Sequence, residues 1–496
     1  MAIAKVCGIE TEYGIVHRGL GESNPIAASS VLINAYVSEL SRKVGWDFED
    51  ESPGNDARGF ARDGTTAPEV ETHLVNAVLT NGARYYVDHA HPEFSTPECA
   101  TAMEAVRYDK AGERILIRSM DAAARLLPPG QSISVYKNNS DRKGNSYGTH
   151  ENYLVDRQAP FGRIVQHVMP HFVTRQLYCG AGKVGSEAAS TGGVDVPFQL
   201  TQRADFFEEE VGLETTLKRP IVNTRDEPHA DASKYRRLHV IVGDANLSEV
   251  ANLLKLGTTS IVLAMIEDDW FGDRDFTLAT PVRSLRRISY DLGLADLVEL
   301  ADGRRMTALE IQWEYFDLAR KYAEDRGLDV LGAEVGAEVL RRWEAVLTGL
   351  ESDPMELADQ LDWVAKYRLV SGYRERHGLS WSDHKLAAMD LQYHSLEPGR
   401  SLFNRVGMER LVPDADIEEA ITEPPRDTRA YFRGKCLQRW GSSIAAANWD
   451  SLVFDLGSDP LRRVPMMEPL RGTAGMVDTL LEGCSSPAEL LERLGS

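Results

Sequence analysis

The sequence predicts an α+β fold in which antiparallel-type strands carry polar side chains on one face of a curved sheet. Three observations predict it. Alternating runs rich in Ile, Val, Tyr and His recur at 3–16, 84–89, 131–157 and 236–243. Long stretches with few breakers at 98–127, 247–266 and much of 307–395 read as helices. The glycine signatures that open parallel nucleotide-binding sheets, GxGxxG and GxxxxGK[ST], are absent from a strand–turn–helix context.

Taken in order, residues 3–16 alternate and predict a strand, and 26–40 predict a helix. The charged, aperiodic, Gly-containing segment 41–70 predicts a flexible inserted loop, a kind of segment that is often functional. RYYVDH at 84–89 predicts a strand, HPEFSTPE after it a turn, and 98–127 a long helix. Residues 131–157 predict a hairpin around the Gly-rich DRKGNSYG, and 163–178 a helix. RRLHVIVG at 236–243 predicts a strand. Asn246-Leu-Ser-Glu249 then resembles a capping box for a helix over 247–266. TEPPRDTR near 421–428 reads as a linker, dividing a catalytic domain at 1–424 from a small C-terminal domain at 425–496. That domain begins with a strand-like or helical segment and ends in an acidic helix at 486–494.

Composition bounds the function. Apolar residues make up 43% of 496 and charged residues 26%, which suits a globular chain of about two to four ordinary domains. A formal net charge of −21 argues against binding nucleic acid through the whole surface, because that binding rests on Lys and Arg neutralising phosphates. Five cysteines without a CxxC spacing predict reduced thiols rather than a disulfide or zinc scaffold. The acidic N-terminus does not read as a signal peptide, and the apolar run Ile261–Ile266 is far short of a spanning helix. A cytoplasmic protein without membrane partners is the expectation.

The candidate chemistry lies on the strands. Glu10 and Glu12 share a strand face about 7 Å apart at the backbone, and such a pair is either solvated or set to hold a divalent cation such as Mg²⁺. Arg84, Tyr86 and Asp88 place a cation, a phenol and a carboxylate in one row. The HxHxxE that follows has Pro92 between its members, so Glu93 fits better beside the first carboxylates than in a zinc site. His150 and Asn152 share a face after the Gly-rich turn, and Arg237 and His239 offer cations suited to phosphate on another. No GxSxG elbow or recognisable cysteine nucleophile occurs. A metal–nucleotide site on a curved sheet is the most economical assembly of these groups.

The same residues carry a resemblance. GIETEYGI, NGARYYVDHAHPEFSTPE, GNSYGTHENYLV and RRLHVIVGDANLSE, in this order, resemble the Pup ligase/Pup deamidase family, carboxylate–amine ligase relatives of glutamine synthetase. VDHAHPEFS and the 41–70 insertion resemble the deamidase branch; the ligase branch reads closer to LDVGSHPEYAT. Phe94 and Thr149 depart from the Tyr and Cys common at those positions.

The resemblance implies a glutamine-synthetase-like cradle with helices outside and a small C-terminal domain. It implies Mg²⁺ ligands at Glu10, Tyr86 and Glu93, with Glu12 and His150 at a second metal or phosphate position. It implies ATP contacts at Arg84, Thr96 and Trp449, and the essential aspartate at Asp88. The implied activity is hydrolysis of the C-terminal Gln of Pup, a disordered acidic modifier, and of the Pup–lysine isopeptide bond in pupylated proteins. ATP, or ADP with phosphate, would be required but not consumed stoichiometrically, and the pathway leads to the bacterial proteasome. An acidic partner needs local cations, with candidates among Arg203, Lys218, Arg219, Arg225, Lys234 and Arg236. The alternatives are a Pup ligase of the same fold, a small-molecule amine ligase, and a catalytically silent adaptor.

Overall fold

The computed structural model describes every residue except 22, 41–42, 50, 60–74, 188–194, 458–459 and 496. Its centre is a ten-stranded sheet. The strands are β1 (Cys7–Glu12), β2 (Val44–Trp46), β3 (Asn76–Val78), β4 (Arg84–Asp88), β5 (His91–Ser95), β6 (Thr149–Asp156), β7 (Tyr235–Val240), β8 (Ile444–Ala447), β9 (Ser451–Phe454) and β10 (Arg462–Pro465). Their spatial order is β7-β6-β1-β5-β4-β3-β2-β8-β9-β10. Neighbours run antiparallel except at β2 and β8, which pair in parallel, Ala446 opposite Gly45 and Ala447 opposite Trp46. The sheet is curved, with helices flanking it.

Register sorts the side chains onto two faces. Glu10 lies opposite both Ser95 and His150, and Glu12 opposite Glu93. Tyr86 lies opposite Glu93, Asp88 opposite His91, and Asn152 opposite His239. Paired residues share a face and faces alternate along each strand, so these polar groups all project from one side. The other side carries Cys7, Ile9, Tyr85, Val87, Phe94, Tyr153 and Val155, buried in the main core.

Helices α1 (Pro25–Glu39), α2 (Ala102–Leu126), α3 (Phe161–Thr174) and α4 (Glu249–Glu267) share that core with the apolar face of the sheet. Thr101 caps α2 by accepting from the Glu104 amide at 3.1 Å. Gly112 on α2 lets the helix lie directly on β5, since a Cβ there would fall 2.5 Å from the Phe94 ring. Among the described residues α4 alone has the length and apolarity of a membrane span, and that stretch lies wholly inside the core. A second apolar cluster gathers Val44, Trp46 and Val78 with Tyr431, Phe432, Leu452 and Phe454, so the last three strands share a core with the edge they extend.

Several local expectations are corrected. The run 3–16 is two strands, β1 and a second at Gly14–Arg18. The predicted 131–157 hairpin does not form. Ser132–Tyr136 pairs with Gly14–Arg18, whereas β6 pairs with β1 and β7. HPEFS is the central strand β5 rather than a turn; Pro92, which cannot donate to a ladder, sits beside the turn that joins it to β4. The α4 cap is Ser248, which accepts from the Ala251 amide at 3.0 Å. Asn246 instead donates to Cys179 and Asp362. Within 41–70, Val44–Trp46 is strand β2; residues 41–42, 50 and 60–70 lie outside the described residues.

Candidate active site on the concave face of the sheet

The strand centres assemble two groups of metal-capable atoms. In each, one ligand atom from every member lies within 4.8 Å of the others: Glu10 with His150 and His239, and Glu12 with Asp88 and Glu93. Adjacent antiparallel strands place these side chains together, as the register requires. The Asn152 amide donates to Glu10 Oε1 at 2.8 Å. Its carbonyl oxygen accepts from Arg237 at 2.9 Å and lies 2.9 Å from His239 Nδ1. Asn152 thus ties Arg237 and His239 of β7 to the first carboxylate; burial, then the Arg237 charge, hold His239 well below the usual histidine range.

Glu12 accepts from the Gly148 amide at 2.9 Å and lies 3.6 Å from His91 Nδ1. A Cβ at Gly148 would fall 2.2 Å from His150 Nε2 and 2.8 Å from Glu12 Oε1, so only glycine leaves this part of the cradle open. Tyr86 donates to Glu93 Oε1 at 2.5 Å. Asp88, partly exposed, accepts from or pairs with His89 Nδ1 at 2.7 Å; His89 has a left-handed backbone (φ 50°) and turns outward from the cradle.

The electrostatics of the two groups differ. Burial alone would raise the Glu10 carboxyl, but the His150 hydrogen bond and the His239 and Arg237 charges outweigh it and hold it well below the usual range. Burial of Glu12 is likewise outweighed, by the His91 hydrogen bond and the His150 charge, and its pKa falls to about 2. Glu93 goes the other way. Burial, then the charges of Asp88, Glu12 and Glu10, push it well above the ordinary range. Carboxylates crowded into so small a volume repel one another unless a cation joins them. The all-oxygen donor set of Glu12, Asp88 and Glu93 fits a hard divalent cation.

At the far end of β1 and β5, a cleft open to solvent is lined by Glu10, Thr96, Glu98, Arg237, Arg429 and Trp449, among others. Thr96 lines it with a hydroxyl that already accepts from the Ile9 amide at 3.0 Å. Arg84 lies outside this cleft. Its guanidinium is stacked between Trp46 and Tyr86, 3.9 Å from each ring, and its Nε donates to Asn76 at 2.9 Å. Trp46 in turn meets Trp449 edge-on at 5.2 Å.

The structure therefore brings Glu10, Glu12, Tyr86, Asp88, Glu93, His150, Arg237 and His239 onto one face, with Thr96 and Trp449 at the cleft. His239, expected beside a nucleotide, stands with Glu10 and His150. Gly148, Trp46, Glu98 and Arg429 are site residues that the sequence does not single out, whereas Asn152 and His91 stand in motifs already noted. Alternation along HENYLV marks Asn152, but nothing local marks Trp46 in an aperiodic run or Glu98 after the strand. Of the cations considered for an acidic partner, Arg203 is buried and donates to Gly243 O and Ser146, and buried Arg236 pairs with Asp226 at 3.0 Å. Lys218 is exposed, and exposed Lys234 pairs with Glu468.

An antiparallel sheet curved around such a polar face, with helices outside, is the architecture of the glutamine-synthetase-like α+β class. The sequence matches the family described as Pup-ligase protein over residues 5–453, and the chain belongs to that family. It is 55% identical to a depupylase of Acidothermus cellulolyticus, covering 99% of both chains. It is 48% identical to a Pup deamidase/depupylase of Mycolicibacterium smegmatis, again over 99% of each. Among solved structures it resembles the ligase PafA in complex with Pup, with TM-score 0.81 and 34% identity over 99% of this chain and 94% of that one. PafA in complex with ADP gives TM-score 0.74 and 38% identity over 82% and 89%.

Proposed function

We propose that this protein is a Pup deamidase and depupylase: it hydrolyses the side-chain amide of the C-terminal Gln of Pup, and the isopeptide bond that joins Pup to a target lysine. The observation that carries this reading is the 55% and 48% identity, over nearly the whole chain, to relatives named for depupylation and deamidation. The PafA ligase structures share 34% and 38%. The ligase alternative is thereby the more distant one.

In this reading the cleft beside Trp449 would hold ATP, and Arg237, which lines it, would meet phosphate charge. Glu10, Glu12, Tyr86, Glu93 and His150, with Asp88 and His239 close by, would hold Mg²⁺, which would supply positive charge to the phosphates and the amide oxygen. Asp88 brings about attack on the amide in one of two ways. It either takes the proton of a water that adds to the carbonyl, or adds itself to give an anhydride that water opens. Either way the C–N bond breaks, the carbonyl gains one hydroxyl oxygen, and the amine or ammonia leaves with a proton. Arg84, clamped between two rings, keeps its charge at a fixed place beside this face. The protein acts on Pup and pupylated proteins of the proteasome pathway. The five buried free thiols support a cytoplasmic setting.

The test is a lysine-linked Pup conjugate incubated with the protein, Mg²⁺ and ATP. Release of unmodified target together with Pup ending in Glu is the expected result. An intact conjugate, with new attachment of free Pup-Glu to lysines, would assign the ligase activity instead.

A further inference from the structure

The cleft beside Trp449 has two origins in the chain. One wall is the sheet, ending in Ser95, Thr96 and Glu98; the other is the C-terminal segment, with Arg429, Trp449 and Pro469. One carboxylate joins them. Glu98 Oε1 accepts from Arg429 Nε at 2.6 Å and from Arg433 at 3.2 Å, while Oε2 accepts from the second terminal nitrogen of Arg433.

Both arginines belong to the start of the helix Ala430–Trp440 and its cap, and both reach onward. Arg433, fully buried, donates to Trp449 O at 2.9 Å and to Gly82 O at 2.9 Å, and lies 5.2 Å from the Trp449 ring. Arg429 donates to Met466 O at 2.8 Å and His229 O at 2.6 Å, and its own amide donates to Pro469 O at 2.9 Å. The backbone that presents Trp449, and the segment opposite it, thus hang on two guanidiniums that share one acceptor. Arg433 is held by two nitrogens, which fixes direction as well as distance, and Arg429 by its Nε, so removing the shared acceptor leaves both guanidiniums on their carbonyl partners alone.

We infer that Glu98 is a positioning residue for nucleotide: it touches no reacting group, and it couples the seating of the C-terminal segment to the affinity of the cleft for a nucleoside diphosphate or triphosphate. The inference rests on the reading of that cleft as the nucleotide site. By reciprocity, bound nucleotide tightens the hold of the C-terminal segment on the sheet.

The experiment uses the full chain, with ADP and Mg²⁺ as the probe, and compares wild type with Glu98→Gln. Glutamine keeps the size and an acceptor oxygen but loses the charge that holds two guanidiniums. The expected result is an ADP dissociation constant raised on the order of tenfold. The loss appears as a rise in KM for ATP that exceeds any fall in kcat. Hydrogen exchange at 444–454 should slow on ADP addition in wild type, and less so in the variant. Arg433→Lys, which keeps one charge but not the fork, should shift ADP affinity in the same direction if Glu98→Gln does not fold. Unchanged ADP affinity in a folded variant, or a fall in kcat alone, would overturn the inference and leave the nucleotide reading standing. Wild-type protein that binds no ADP would overturn the reading and the inference together.

Discussion

In the proposed reading, attack on the amide belongs to Asp88 and its neighbours, apart from the binding of nucleotide. Its carboxylate belongs to the Glu12 and Glu93 group, whereas the cleft with Trp449 lies at the other end of the strands. Asp88→Asn is isosteric and removes the base or nucleophile. Amide cleavage should fall by about a hundredfold or more, while ADP affinity holds. Retained cleavage in that variant would remove Asp88 from the chemistry. Gly148 makes a second residue-scale test. A methyl group there would strike His150 Nε2 at 2.2 Å and Glu12 Oε1 at 2.8 Å. Gly148→Ala should raise the Mg²⁺ concentration needed for half-maximal activity by about tenfold to a hundredfold, as disturbing a ligand's support does elsewhere. Titration of activity with Mg²⁺ reads this directly, and an unchanged requirement would place the metal away from these residues.

At the scale of elements, the C-terminal strands complete the sheet. β8 covers the edge of β2, and Trp46, Val44 and Val78 share a core with Tyr431, Phe432 and Leu452. Ending the chain before Ile444 would leave an open strand edge and an exposed apolar cluster, and such edges recruit other chains. The truncated protein should self-associate, as seen by size-exclusion chromatography with light scattering, and should lose nucleotide binding. A monodisperse truncated monomer that still binds ADP would contradict this.

The same junction has a pH signature. Burial would raise Glu98, but the charges of Arg433 and Arg429 outweigh it and hold the carboxyl down to about 2. A folded pKa below the ordinary carboxylate value of about 4.3 stabilises the protein above that pH. The contribution, on the order of 3 kcal/mol, fades as pH falls from about 4.3 through about 2. Acid unfolding of Glu98→Gln should be correspondingly flatter in this window. An identical acid limb in both proteins would contradict the coupling.

Much of this scale was legible in the sequence, and the misses have physical reasons. Periodicity found β1, β4, β6 and β7, and within each the residues that share a face: Glu10 with Glu12, Tyr86 with Asp88, His150 with Asn152; the register joins these faces. It missed β5 because Pro92 and the Ser-Thr-Pro that follows are turn residues; a central position in the sheet overrode that preference. The 131–157 hairpin failed because a sequence shows that two strands exist but not which neighbours they choose. Trp46 and Glu98 meet partners about 400 and 330 residues away, at Trp449 and Arg429, and no local pattern encodes those contacts.

As a whole molecule, the protein is an amide hydrolase built on a ligase-like cradle. Sequence motifs in order, a curved antiparallel sheet, two ligand groups at its centre and full-length identity to depupylases converge on it. The net charge of −21 sits on a protein whose proposed substrate is acidic, so association should be slow and should quicken as salt screens the repulsion. Stopped-flow binding at rising ionic strength checks this, and an on-rate that falls with salt would reveal a local cationic path. The most direct measurement is mass spectrometry of Pup ending in Gln, incubated with the protein and Mg²⁺, with and without ATP, while ADP release is followed. The account predicts conversion of Gln to Glu that needs nucleotide without matching ADP release. No conversion, with ATP-dependent attachment of Pup ending in Glu to lysine, would contradict it.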